Sequence, residues 1–174
     1  MQQLVITAVG ADRPGIVDSL TEALAQFSAN IADSRMSNLA GQFALVMLLE
    51  VPDEQAQPLT AKMPDLGGAI GLTITVAPSR SADPAPLPGV PYRIRTYAMD
   101  QAGLVHRFTH LLHTHNVNIE QLDTRLEHGP HSGTPLFSMD MVVTVPREVK
   151  LKALRDQLEQ LSADLNCDLD IDRA

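Results

Sequence analysis

The stretch LVITAVGADRPGIVDSL, residues 4–20, runs an apolar segment into Asp12-Arg13-Pro14-Gly15 and restarts an apolar pattern at Ile16. Residues 4–9 read as a strand. Ile16, Val17, Leu20, Leu24 and Phe27 then recur at helical spacing. The four residues between match the chemistry of a helix start. Asp12 is expected to cap the helix by accepting a free amide, and Pro14 to occupy the first turn, where its missing N–H costs nothing. Gly15 is expected to allow close packing of strand, loop and helix. A helix start also leaves backbone amides unpaired, and the helix dipole favours a negative group there. With no side chain at Gly15 to block approach, the loop suits a carboxylate such as that of an amino acid. A phosphate loop is usually longer, richer in glycine, and ends in Lys or Ser/Thr.

The stretch occurs twice. Sliding the chain by 88 positions sets Asp12 on Asp100, Gly15 on Gly103, Ile16-Val17 on Leu104-Val105, Leu24 on Leu112 and Asn30-Ile31 on Asn118-Ile119. Farther on, FALVMLLEVP aligns with FSMDMVVTVP at a slide of 94. The added residues fall around EHGPHSGTP, as an insertion at a hairpin tip would. Between the copies, residues 77–91 hold five of the twelve prolines, which excludes a helix or a central strand. The expected organisation is a first domain at 1–78, a proline-rich linker at 79–90 and a second domain at 91–174.

Each copy has the same order: strand, Asp-x-x-Gly turn, helix, two strands joined by a turn, helix, strand. The stripe of the second copy's first helix is Leu104, Val105, Phe108, Leu111 and Leu112. FALVMLLEV is apolar on both faces and is expected to be buried on both sides. The helix that follows it is expected to be short and interrupted by proline before Leu66; its counterpart is expected at 147–165. GLTITV and CDLDID close the two copies. This is the β-α-β-β-α-β order of a ferredoxin-like, α+β fold, with two helices on one face of a four-stranded antiparallel sheet. One copy alone has a marginal core, so an intrachain pseudo-dimer is expected. The linker is long enough to leave pairing between chains of a homodimer open.

Composition narrows the function. The net charge is −8, and aromatics are limited to four Phe and two Tyr. Residues 1–78 carry three basic and eight acidic side chains, and residues 92–174 carry nine basic and twelve acidic. Neither copy is basic, which disfavours direct contact with nucleic acid. No apolar run is long enough to span a bilayer and the N-terminus lacks a secretory pattern. With Cys167 alone, no intrachain disulfide forms, so a cytoplasmic setting is expected.

Other constellations carry less. His106, His110 and His113 share one helix face, but no carboxylate motif or cysteine pair completes a metal set, and a solvated face is expected. His128 and His131 fall at the hairpin tip. Asp164, Asp168, Asp170 and Asp172 alternate and are read as the polar side of an edge strand. No nucleophile elbow or convergent acid/base set is present, so neither an enzyme nor a cofactor is expected.

The two Asp-x-x-Gly-[Ile/Leu]-Val loops, each followed by an Asn-Ile start to the next strand, resemble tandem ACT domains, a family of small-molecule-sensing modules. Residues 4–17, NIADSRMSNLAGQF, the proline-rich segment and the second copy carry the resemblance over nearly the whole chain. It implies an amino-acid effector, glycine, at a domain–domain interface. By carry-over, Asp12, Arg13, Pro14, Gly15, Ile16 and Val17 bind it together with Asn118. Asp100, Gln101, Gly103, Leu104 and Val105 with Asn30 form the mirrored site. Gln101-Ala102 replace Arg-Pro there, and loss of proline's fixed φ is expected to loosen that loop. By residue chemistry alone, Asn30 and Asn118 read as turn residues. The resemblance further implies a non-enzymatic regulator that represses the glycine cleavage operon by binding a LysR-type activator protein. The alternative is a regulatory ACT subunit of an amino-acid or folate metabolic enzyme.

Overall fold

The structure is a computed structural model that describes residues 1–79, 88–128 and 133–174. The chain divides into two compact units, Met1–Asp83 and Pro84–Ala174. Most of the expected linker, and His131 at the expected hairpin tip, lie outside the described residues.

The first unit runs β1 (Gln2–Ala11), α1 (Ile16–Ala25), β2 (Asn30–Leu39), β3 (Gln42–Val51), α2 (Asp53–Ala69) and β4 (Leu72–Pro78). The second runs β5 (Gly89–Met99), α3 (Leu104–Thr114), β6 (Asn118–His128), β7 (Pro135–Pro146), α4 (Leu151–Asp164) and β8 (Asp168–Arg173). Both sheets are antiparallel, in the orders β2-β3-β1-β4 and β6-β7-β5-β8. Two ferredoxin-like βαββαβ units are therefore present.

The cores follow from the sequence periods. Along β1, every second side chain (Leu4, Ile6, Ala8) is buried, facing Ile16, Leu20 and Leu24 of α1 and Leu59 and Met63 of α2 in one cluster. The second unit repeats this with Ile94 and Ala98, Leu104, Phe108 and Leu112, and Leu154 and Leu158. Each fully buried aliphatic or aromatic side chain contributes about 1.5–3 kcal/mol. Helix ends use left-handed residues: Ser28, Asn116 and Asn166 have φ of 53°, 54° and 51°, and Gly71 follows α2 at 81°.

Three expectations are corrected. β3 is not buried on both sides: Phe43, Leu45, Met47, Leu49 and Val51 point into the core, while Val46 on the other face is 50% exposed. The apolar second face lies on the helix-free side of the sheet. Second, α2 is one continuous helix of 17 residues with Pro58 and Pro64 inside it. Its buried Ala56, Leu59, Met63 and Gly67 hold it on the sheet despite the missing donors. Third, α4 starts at Leu151 rather than 147, because Pro146 first makes a turn closed by Val149 N–H to Pro146 O at 3.0 Å.

The edge strands are of two kinds. All ten residues of β2 are exposed. β8, as expected for an edge, carries Asp168, Asp170 and Asp172, and the last two both accept from Arg95, whereas Asp164, also expected on that strand, ends α4 instead. Arg95 and Arg93 project from the helix-free face of β5. The Arg93 guanidinium grips both oxygens of Asp140 on β7, at 2.8 Å from Nε and 2.6 Å from Nη2. This hydrogen-bonded pairing holds the Asp140 carboxyl below its usual range and raises Arg93.

Candidate functional site

The loop after β1 departs from the expected cap. No side chain caps α1; its N-cap is Gly15, at φ 82°, ψ 2°. Those are the dihedrals of the third residue of a type II turn, whose second position favours proline. Pro14 occupies that position and the Ile16 N–H closes the turn onto Arg13 O at 3.3 Å. Pro14 therefore shapes the approach to the helix rather than its first turn. A Cβ on Gly15 would meet nothing within 4 Å, so glycine is required by the positive φ and not by close packing.

Asp12 is engaged elsewhere. Its amide donates to Gly41 O at 2.9 Å, and its carboxylate accepts from Asn38 Nδ2. Both contacts tie the loop to the β2–β3 hairpin. Arg13 reaches the other way, Nη2 donating to Ile70 O at 3.0 Å at the C-cap of α2. With the loop held on two sides, the N–H groups of Gly15, Val17 and Asp18 have no hydrogen-bond acceptor among the described residues. They open on a cleft of about 510 Å³ lined by residues 12–18 with Met36 and Phe43.

Met36 and Phe43 were not legible as site residues. Phe43 is a core residue at 1% exposure, whereas Met36 stands 60% exposed on the edge strand. An apolar side chain exposed on a strand beside a polar loop is the one signal that could have found it. Of the residues expected here, the Ile16 side chain is buried in the core and its amide closes the turn, while Val17 is exposed. Free amides suit a carboxylate, and the exposed Asp12 and Asp18 carboxylates in the same cleft suit an ammonium group.

The second loop repeats the geometry without Arg-Pro. Gly103 is the N-cap of α3 at φ 87°, ψ 5°, again with no side-chain cap. The Asp100 amide donates to Pro135 O at 3.0 Å, matching Asp12 to Gly41. Gln101 Nε2 donates to Leu165 O at 2.7 Å, at the C-cap of α4, where Arg13 reaches Ile70 in the first unit. The second loop keeps the glycine conformation and the two tethers, while the bond from Ile16 N–H to Arg13 O that closes the first turn has no counterpart at Leu104 among the described residues. Leu104 is buried and Val105 half-buried.

Strand register places the two asparagines far from their own loops. β1 ends at Ala11 opposite Gln42, while Asn30 pairs with Glu50, eight residues along β3. At ~3.3 Å per residue this is about 26 Å. In the second unit Met99 pairs with Leu136 and Asn118 with Thr144, again eight residues apart. The Asn118 amide donates to Glu120 at 2.7 Å. Neither asparagine can join the loop of its own unit.

The remaining candidates stay separate. His106, His110 and His113 are exposed on α3, with the first two rings 5.7 Å apart. Among the described residues no three His, Cys, Asp or Glu side chains are grouped to hold a metal. His128 is exposed at the end of β6. Burial pushes the Cys167 thiol up, away from the reactive thiolate. Among the described residues no helix is long and apolar enough to cross a membrane.

This doubled fold with its paired glycine loops is that of a tandem ACT-domain protein. The family model for the ACT domain matches residues 2–77, and the chain belongs to that family. Among its relatives, the glycine cleavage system transcriptional repressor of Escherichia coli (strain K12) is 28% identical over 163 residues, covering 94% of this chain and 85% of that protein. A UPF0237 protein of Methanococcus maripaludis is 40% identical over 78 residues, 44% of this chain and 87% of its own length. A solved structure of an unknown protein from Galdieria sulphuraria superimposes with a TM-score of 0.85 at 25% identity, covering 99% of this chain and 98% of that one. The ferredoxin-like repeat is thus shared with that solved structure over nearly the whole of both chains.

Proposed function

We propose that the chain is a non-enzymatic, glycine-responsive regulator that represses transcription of the glycine cleavage operon by binding a LysR-type activator protein. The observation that carries this reading is the similarity to the Escherichia coli glycine cleavage system transcriptional repressor, which extends over both units. The unpaired amides of Gly15, Val17 and Asp18, opening on one cleft, support a small carboxylate ligand. The net charge of −8 favours contact with a protein over contact with DNA.

In this reading residues 12–17 form the first effector loop, and Asp100, Gln101, Gly103, Leu104 and Val105 the second. By resemblance, Asn30 and Asn118 are further ligand-binding residues in this reading. The effector acts by favouring one of two states of the regulator, which requires different affinities for them. Pull-down of the purified activator by the full chain, with and without glycine, tests the proposal. Capture that depends on glycine supports it; no capture under either condition rejects it.

A further inference from the structure

We infer that Arg13 and Gln101 are positioning residues that clamp each effector loop to the end of its unit's second helix, rather than residues that contact the ligand. The inference rests on the proposed effector role of these loops. Its support lies in the repetition. Two side chains of different length, charge and shape, 88 positions apart, reach the same place: Arg13 Nη2 to Ile70 O at 3.0 Å and Gln101 Nε2 to Leu165 O at 2.7 Å. Ile70 and Leu165 are the C-cap residues of α2 and α4.

The acceptors explain why such a clamp forms. The last turn of a helix presents carbonyls without intrahelical donors, and the dipole makes that end negative. A side-chain N–H from the adjacent loop satisfies one of them. Arg13 adds charge to the contact and Gln101 does not, so only the first clamp responds to ionic strength. Behind each clamp the chain turns into the last strand, at Gly71 with φ 81° and at Asn166 with φ 51°. The loop, the helix end and the strand start are therefore joined through one hydrogen bond. The opposite side of each loop is tied through Asp12 to Gly41 and Asp100 to Pro135. A guanidinium held in this way is directed at Ile70 and not at the amides of Gly15, Val17 and Asp18.

Amide hydrogen exchange on the full-length protein tests this without any ligand. The reporters are the Ser19 N–H, bonded to Gly15 O at 2.9 Å, and the Arg107 N–H, bonded to Gly103 O at 3.0 Å. Arg13→Ala is expected to speed exchange at Ser19 about tenfold and leave Arg107 unchanged; Gln101→Ala does the reverse. Arg13→Gln, the second unit's own solution, restores Ser19 to within about threefold of the parent. Added salt speeds exchange at Ser19 alone. Unchanged exchange in Arg13→Ala, or an Arg13→Gln variant as fast as Arg13→Ala, overturns the inference. Calorimetry with glycine forms a separate arm, in which Arg13→Ala weakens binding and Arg13→Gln recovers it. A parent protein that binds no glycine rejects the proposed effector role, while the exchange data still decide the clamp.

Discussion

Asn38 holds Asp12: its Nδ2 donates to the Asp12 carboxylate while its Oδ1 accepts the Gly41 N–H at 3.1 Å. The first loop is thereby fixed to the β2–β3 hairpin rather than to its own helix. Asp12→Ala and Asn38→Ala are each expected to lower stability by about 1 kcal/mol. Because the two residues act as a pair, the double variant costs less than the sum by about 0.5 kcal/mol or more. Urea denaturation of the four proteins measures the coupling. Strict additivity would show that the Asn38–Asp12 contact contributes nothing to stability.

Gly15 tests the turn. At φ 82° with open space around its Cβ position, Gly15→Ala carries a backbone penalty and no clash, about 1–2 kcal/mol. Gly15→Asn costs less, since asparagine tolerates the left-handed region. Equal denaturation midpoints for alanine and asparagine would show that packing, not φ, decides the position.

Pro64 is exposed on α2 and removes a donor from the helix interior. Pro64→Ala is expected to raise stability by about 1–2 kcal/mol: the regained helix hydrogen bond and relieved clash exceed the lost restriction of the unfolded chain. A lower urea midpoint for this variant contradicts that account of α2.

Acid stability depends on Asp140. Its folded-state pKa lies below the unfolded value because Arg93 donates to it. Its contribution is therefore complete above the unfolded carboxyl range and is lost as pH falls through the folded pKa. Asp140→Asn is expected to flatten the acid limb of a stability-versus-pH curve below about pH 4 and to leave its shape unchanged above about pH 6. A curve parallel to the parent across the acid range would show that the pair contributes nothing.

The doubled βαββαβ order was legible because its signals are local. The 3.6-residue stripes at Ile16–Leu24 and Leu104–Leu112 and the matched Asp-x-x-Gly turns required no tertiary information. What the sequence hid was tertiary. Asp12 has the chemistry of a helix cap, and only the nearness of Asn38 turns it aside. Pro58 and Pro64 argue locally for a break, yet buried Leu59 and Met63 keep α2 continuous. The replacement of Arg13-Pro14 by Gln101-Ala102 reads as a loss. Gln101 nonetheless makes the same contact with a helix C-cap that Arg13 makes. Met36 entered the cleft from an edge strand that no periodicity links to the loop.

In the proposed function the amides of these glycine loops bind an amino acid. Titration of the isotope-labelled full chain with glycine, followed by amide NMR, tests it most directly. Saturable shifts are expected at Gly15, Val17 and Asp18, or at Gly103, Leu104 and Val105, with the rest of each sheet little changed. Saturating glycine that moves no amide in either loop would contradict it.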